Sequence, residues 1–298
     1  MSIREKCNLC NSAGFKLVKA VLREGRQKCK VYQCLKCGHI QLLPRPTPED
    51  DRLFYDKNLQ DKSRKKIIEY GKLQANNAFD TRRHVRLVEK VCSKRETRIA
   101  DIGAGYGFFV DGLFRSGYKN VLGIEISEER RKLGLRHTQA KIMDFDLNDP
   151  VQDIGKFGLV TIFHVLEHMA LPIEFLKNCR KLLGSRGILI CEVPNVEELL
   201  LKTCKAYCDF YWIRAHLNYF SSKTLEKCFK LAGFKDVRIQ FVQRYGLNNL
   251  AHWMESGSPQ IDKPVFEIGA PYKKIEDDYR DFLVTRGASD AVMAIARL

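Results

Sequence analysis

Three short stretches bring together residue types that do chemistry. Cys7 and Cys10 in CNLC, and Cys34 and Cys37 in CLKCGH, form two pairs with two residues inside each pair. That spacer lets both thiolates of a pair reach one tetrahedral Zn(II) at ~2.3 Å, and a second pair closes the site. A closed four-cysteine site leaves no position for water or substrate, so its role is structural. Cys29 and His39 fall outside the paired spacing and are not expected as ligands. The second stretch is DIGAGYG, Asp101 to Gly107, in which Gly103, Gly105 and Gly107 let the backbone approach a ligand closely. An acid, Glu125, follows 20 residues after Gly105. The third stretch is HVLEH, His164 to His168. Its two histidines and Glu167, if held on one helix, would share a metal ion and activate a water for hydrolysis.

Which of these chemistries is available depends on the elements that hold the residues. The chain between the cysteine pairs has β-rich segments around Glu24-Gly25 and reads as a hairpin carrying both knuckles. The residues just after the pairs, Asn11 and Gly38, tolerate a left-handed backbone. Residues 1–50 are therefore expected to form a zinc ribbon that ends in the proline-rich HIQLLPRPTPED. Residues 51–97 are expected as a helical linker, since residues 63–92 contain no proline and place apolar residues at helical spacings.

From Arg98 strands and helices alternate. RIADIG, NVLGIEIS, FGLVTIFH and RGILICEVP are strands, and FFVDGLFRSG, EERRKLGLRH and EFLKNCRKLL are helices, with Ser127 as an N-cap. The alternation predicts an α/β fold over residues 98–298, a mainly parallel, doubly wound sheet. Ligands in such sheets bind outside the carboxyl ends of the strands. In this frame GLVTIF is a strand, His164 sits at its end, and the chain turns before a helix that begins near Pro172. The two histidines then share no long helix, and no third ligand follows downstream. The zinc-peptidase reading of H-x-x-E-H is set aside on those grounds.

The glycine loop has a rival reading as a dinucleotide site, with Glu125 on a ribose. Its spacing is G-x-G-x-G in place of G-x-G-x-x-G, and Asp101 would repel a pyrophosphate but suit a cationic ligand. With an apolar strand running into D-x-G-x-G, the sequence resembles the class I S-adenosylmethionine-dependent methyltransferases. The resemblance spans residues 95–243 and a last strand, DAVMAIARL, and implies a seven-stranded Rossmann-like sheet. It also implies that Asp101, Gly103, Gly105 and Gly107 contact the methionyl part of S-adenosylmethionine. Glu125, with Ile126 beside it, would bind the ribose, and Asp144 and Phe145 the adenine. HVLEH is similar to a family signature that borders the cofactor and acceptor pocket, which brings in His164.

The block RAHLNYFSSKTLEKCFKLAGF resembles a group of bacterial methyltransferases that also begin with C-x-x-C-G and P-R-P elements. Members of that group commonly act in surface polysaccharide or sugar-modification pathways. The resemblance implies a sugar or nucleotide-linked sugar as acceptor. The aromatics Tyr207, Phe210, Tyr211, Trp212, Tyr219 and Phe220 are expected to offer it a wall. A histidine suits removal of a hydroxyl proton, so His168 and His216 are the candidate bases and Glu167 the orienting carboxylate. Residues 244–289 interrupt the final hairpin and are expected as a lid or an intersubunit contact.

Net charge is +15, and the first 100 residues carry 24 Lys+Arg against 11 Asp+Glu. Such a field attracts phosphate, whether on a nucleotide-linked sugar, a lipid headgroup or RNA. An RNA methyltransferase that uses the basic ribbon is therefore the alternative reading. No apolar run approaches the ~20 residues of a membrane span, and MSIREKCNLC lacks a signal-peptide core, so a cytoplasmic protein is expected. Eleven cysteines without an export signal are expected as thiols or metal ligands.

Overall fold

The computed structural model describes residues 5–25, 28–47, 70–145, 147, 154–260 and 269–298. Residues 51–69 of the expected helical linker and 261–268 of the expected insertion lie outside the described residues. Strands that are apolar on both faces make the centre of the larger sheet: β4 (Ile99–Ile102), β5 (Val121–Ile124), β6 (Ile142–Met143), β7 (Phe157–Phe163) and β8 (Leu183–Pro194). All four residues of β4 are buried, as a parallel strand covered on both faces requires. Two antiparallel strands, β10 (Asp236–Val242) and β11 (Ala291–Arg297), complete the order β10-β11-β8-β7-β4-β5-β6. The sheet is the seven-stranded, doubly wound Rossmann-like one.

Alternation along the strands sends side chains to two cores. Ile99, Leu159, Ile190 and Met293 pack with Val85 and Val88 of α1 (Tyr70–Val91) and with Phe109 and Leu113 of α2 (Phe108–Arg115). On the other face Ala100, Ile162, Leu189 and Val193 meet Leu176 and Cys179 of α4 (Pro172–Lys181) and Leu225 and Phe229 of α7 (Ser222–Leu231). The helix between β5 and β6, α3 (Glu128–His137), starts at Ser127, whose Oγ accepts the Arg130 N–H.

A second, antiparallel sheet holds the cysteine knuckles. Its strands are β1 (Phe15–Lys19), β2 (Lys30–Cys34) and β3 (Ile40–Leu43), joined by β9 (Asn218–Tyr219) from the other end of the chain. The register sets Ile40 against Tyr219 and Gln41 against Asn218. Tyr211, Trp212 and Tyr219 are buried against Leu22, Val31 and Leu42 of the hairpin, and Phe220 is in the main core. Much of the expected aromatic wall is therefore packing between the knuckle sheet and the helix α6 (Lys205–Tyr211). Each such buried ring stabilises by roughly 1.5–3 kcal/mol, which accounts for the crowding of rings in this stretch.

In the expected insertion, α8 (Leu247–Ser256) buries Trp253 against Leu200 of α5 (Leu199–Thr203) and Cys204, with Phe210 of α6 alongside. The last helix, α9 (Lys273–Thr285), places the Glu276 carboxylate on the Leu247 N–H at 3.0 Å.

Candidate active site

Four carboxylates collect at the carboxyl ends of the parallel strands, where each apolar strand stops at an acid or runs just past one. Asp101 is near the end of β4, Glu125 follows β5, Glu167 lies just beyond β7, and Glu192 is near the end of β8. All four are buried.

The loop after β4 is tied to its neighbours by backbone bonds: the Gly103 and Ala104 N–H groups donate to the Ile124 carbonyl at 2.8 and 2.9 Å. Gly103 has φ 79°, and a Cβ there would stand 2.2 Å from Val165 Cγ2, so only glycine fits. Gly105 has φ 56° with open space where a Cβ would be. Glu125 Oε2 accepts the Gly105 N–H and its Oε1 the Ser127 N–H, both at 2.8 Å. That carboxylate thus braces the loop and the start of α3 together. Asp101 Oδ1 accepts the Thr161 hydroxyl at 2.7 Å. Burial pushes the Asp101 carboxyl up to about 7 against that hydrogen bond, with the charge of Glu125 adding to the rise.

Ile126 is widely exposed beside Glu125, Asp144 pairs with Arg131 Nη2 at 2.9 Å, and Phe145 is buried in the core. Gly107 has φ 76° and opens α2. An open glycine loop edged by a braced carboxylate and a buried acid has the chemistry to suit a cationic amino-acid nucleoside.

His164 has the left-handed φ of 56°, uncommon for a residue with a side chain and frequent where function constrains the backbone. The chain then makes a single 3-10 turn, Leu166–His168, before α4. His164 Nδ1 lies 3.6 Å from Glu167 Oε1 and its Nε2 lies 3.3 Å from Glu192 Oε1. Burial and the charge of Arg244 oppose a proton on His164, but the two carboxylates prevail and raise it to about 9. Glu167, despite burial, is held down at about 2 by His164 and the neighbouring histidines.

His168 Nδ1 donates to the Ala215 carbonyl at 2.8 Å, and its Nε2 lies 3.9 Å from Glu167 Oε1. His216 stands edge-on to His168, ring centroids 5.0 Å apart. Burial drives His216 down to about 3 against the pull of Glu167, so its ring is neutral. Its Nδ1 and Glu167 Oε2 are buried with no hydrogen-bond partner. Glu167, His168 and His216 offer atoms within 4.8 Å of one another. The structure therefore brings together the three residues expected to handle the acceptor proton. It does so beside the glycine loop, since Val165 touches the position of Gly103.

Sequence reasoning missed a set of half-buried ion pairs, centred on the buried Glu192, behind this cluster. Arg83 donates to both oxygens of Glu192 at 2.7 Å and also to Asp80 at 2.7 Å, which in turn takes Arg244 Nη2 at 2.7 Å. His84 Nε2 lies 3.5 Å from Glu192. The signal was present in RGILICEVP: an acid near the end of an apolar strand, the pattern already seen at Asp101 and Glu125.

At the knuckles the Sγ atoms of Cys7 and Cys37, and of Cys10 and Cys34, lie 3.5 Å apart. Tetrahedral ligands at ~2.3 Å from zinc would stand about 3.8 Å apart, so the four thiols need only a small adjustment to hold one ion. Asn11 and Gly38 have φ 56° and 76°, the left-handed turns that knuckles require, and the Leu9 N–H points at Cys7 Sγ at 3.4 Å. His39 faces away and bonds Asn218.

Similarity to known proteins agrees with this geometry. Ubiquinone biosynthesis O-methyltransferases of Maricaulis maris and Actinobacillus pleuropneumoniae are 31% identical over 116 residues and 28% identical over 120 residues. Each alignment takes in 37% of this chain and 43% or 48% of the relative, so the chain spans less than half the length of these relatives. Among solved structures, a methyltransferase of Archaeoglobus fulgidus superposes with a TM-score of 0.51 at 18% identity, over 77% of this chain and all of that one. Magnesium protoporphyrin IX methyltransferase of Synechocystis, solved with S-adenosylhomocysteine bound, gives 0.51 at 15% identity, over 84% of this chain and 99% of its own. These likenesses show the fold. The family model described as Methyltransferase domain matches residues 55–239, more than half of the sequence, and the chain belongs to that family.

Proposed function

We propose that the protein methylates a hydroxyl oxygen of a small acceptor, a sugar or nucleotide-linked sugar of a surface polysaccharide or glycoconjugate pathway. The observation that carries this reading is the convergence of Glu167, His168 and His216 beside the glycine loop. S-adenosylmethionine, when bound, supplies an activated methyl group with its own leaving group. Glu125 holds the ribose, the loop Gly103–Gly107 and Asp101 face the cationic methionyl end, and Ile126 with Asp144 and Phe145 borders the adenine.

His168 Nε2 takes the acceptor proton, because the Ala215 carbonyl fixes the opposite nitrogen as the donor. Glu167 is ionised and stabilises the imidazolium that forms. His216, held neutral, is too weak a base for that step and serves as a hydrogen-bonding partner. His164 carries the positive charge that keeps Glu167 ionised.

Support for a sugar comes from the RAHLNYFS block, and support for oxygen comes from the names of the relatives, which are O-methyltransferases. The RNA alternative has no comparable support. Four cysteines in tetrahedral reach support a structural Zn(II), and no helix among the described residues is long and apolar enough to cross a membrane.

The test is methyl transfer to a panel of nucleotide-linked sugars, hydroxylated polyprenyl aromatics and ribosomal RNA at physiological salt. Transfer to a sugar, lowered at least a hundredfold by His168→Ala with S-adenosylhomocysteine affinity unchanged, is the expected result. Transfer to RNA alone would overturn the small-acceptor reading, and transfer to the polyprenyl ring alone would replace the sugar.

A further inference from the structure

Asn218 opens β9, and no part of it reaches solvent. Its Oδ1 accepts from Asn8 Nδ2 at 2.9 Å and from His39 Nε2 at 3.0 Å, while its Nδ2 donates to the Met169 carbonyl at 2.7 Å. Asn8 lies between Cys7 and Cys10, and His39 lies two residues after Cys37. Met169 directly follows His168, and Asn218 itself is two residues past His216. One buried amide therefore touches both cysteine knuckles and both histidine-bearing segments.

The backbone repeats the connection. The Leu217 N–H donates to the Glu167 carbonyl at 2.8 Å, and the Leu217 carbonyl accepts the Leu42 N–H at 3.0 Å. Gln41, opposite Asn218 in the register, takes the Asn8 N–H on its side-chain oxygen at 2.9 Å. Together with the His168 Nδ1 bond to the Ala215 carbonyl, these contacts fix the segment 164–169 against 215–218, and fix both to the knuckle sheet. A slip of one segment against the other would part His216 from His168 Nε2 and Glu167.

We propose that the knuckle sheet is the scaffold of the acceptor site, and that Asn218 is the positioning residue through which the four-cysteine centre sets the geometry of Glu167, His168 and His216. The inference rests on the reading of those three as the acceptor site, but its test reads geometry and needs no acceptor. The cofactor residues Asp101, Gly103, Gly105 and Glu125 stand on β4, β5 and the turns after them, and meet this connection where Val165 packs on Gly103.

The experiment is hydrogen exchange by mass spectrometry on the full chain carrying zinc, with S-adenosylhomocysteine affinity measured in parallel. Ring NMR of 13C-labelled histidine completes the set. Samples are the parent protein, the protein stripped of zinc by a chelator, Asn218→Ala, Asn218→Asp and Asn8→Ala. Asn218→Asp keeps the acceptor oxygens toward Asn8 and His39 but loses the donor to Met169. Asn8→Ala cuts the connection at the first knuckle only, from a partly exposed position where misfolding is less of a hazard.

Expected are at least a tenfold rise in exchange at 165–169 and 215–218 on zinc removal and in Asn218→Ala, and a smaller rise in Asn8→Ala with zinc retained. Changed titration of the His168 and His216 rings should accompany them, with S-adenosylhomocysteine affinity within twofold throughout. Asn218→Asp should change exchange near Met169 with zinc content intact. Unchanged exchange in those segments after zinc removal would overturn the proposal, and so would a loss of cofactor affinity in step with the exchange, because that marks general loosening. Full methyl transfer by a His168→Ala variant whose parent shows the coupling would leave the scaffold standing and overturn only the acceptor reading.

Discussion

Asp101 and Glu125 are both buried carboxylates at the edge of the glycine loop, yet they are held in opposite ways. Glu125 takes one backbone N–H on each oxygen and keeps lone pairs for a ligand, whereas among the described residues Asp101 takes the Thr161 hydroxyl and is pushed up to about 7 by burial. A cationic ligand facing Asp101 must lower that value, so its binding releases a proton below pH 7. The affinity for S-adenosylhomocysteine should therefore tighten by up to tenfold per pH unit between about pH 5 and 7, then level off. Asp101→Asn should flatten the profile, and calorimetry across that range reads both. A profile that stays steep in Asp101→Asn would place the titrating group elsewhere. Glu125→Ala removes one charge-assisted bond to the loop at Gly105 and one to Ser127 at the start of α3, each worth about 1.5–3 kcal/mol, and should weaken the same affinity at least tenfold at every pH.

At the scale of elements, the glycine loop and the histidine turn are in contact, and that contact is testable apart from chemistry. Alanine at 103 would have to hold φ 79° and displace Val165 from a 2.2 Å approach. Left-handed strain alone costs of order 1–3 kcal/mol, so Gly103→Ala should lower thermal stability and cofactor affinity together. Adding Val165→Ala should recover only the share due to the clash, and full recovery by that second change would show that the backbone angle is immaterial.

The elements themselves were legible in the sequence where period and punctuation agree. The alternation from Arg98, the Ser127 cap, the left-handed Asn11 and Gly38, and the turn before Pro172 all follow from local rules. What local rules do not carry is pairing between distant segments. β9 has two residues, too short to show a period, yet it completes the knuckle sheet across more than 170 residues of chain. For the same reason the rings at 211, 212 and 219 looked like a binding wall: an aromatic run has the same composition whether its partner is a ligand or a hairpin. Glu192 and Arg83 escaped because a charge in an apolar strand and one on a polar helix are paired only by the fold.

Over the whole molecule, the carboxyl edge of the sheet is a half-buried charge lattice running from Arg244 and Asp80 through Arg83 and the buried Glu192 to His164 and the buried Glu167. Its stability has a definite pH window. Glu167 falls from 4.5 to about 2 on folding, so its contribution is present above pH 4.5 and is lost as the pH drops toward 2. His164 rises from 6.5 to about 9, so its contribution is full below pH 6.5 and is lost as the pH climbs through 9. Asp101 rises from 3.8 to about 7, which imposes a penalty that grows over that interval. His216 falls from 6.5 to about 3, a penalty that grows as the pH drops and offsets that of Asp101, so the four together hold the stability of the cofactor-free protein near its greatest between about pH 4.5 and 6.5.

Glu192→Gln removes one of the two acids that hold the proton on His164 and leaves Arg83 without its bidentate partner. The change should destabilise by about 3–5 kcal/mol, and it should move the alkaline limb of the melting profile to lower pH, because Glu167 alone supports the imidazolium. Melting temperature against pH, for the parent and Glu192→Gln without cofactor, separates the two effects. A uniform drop with an unshifted alkaline limb would mean that the His164 proton does not depend on Glu192 and that the lattice is a set of independent pairs.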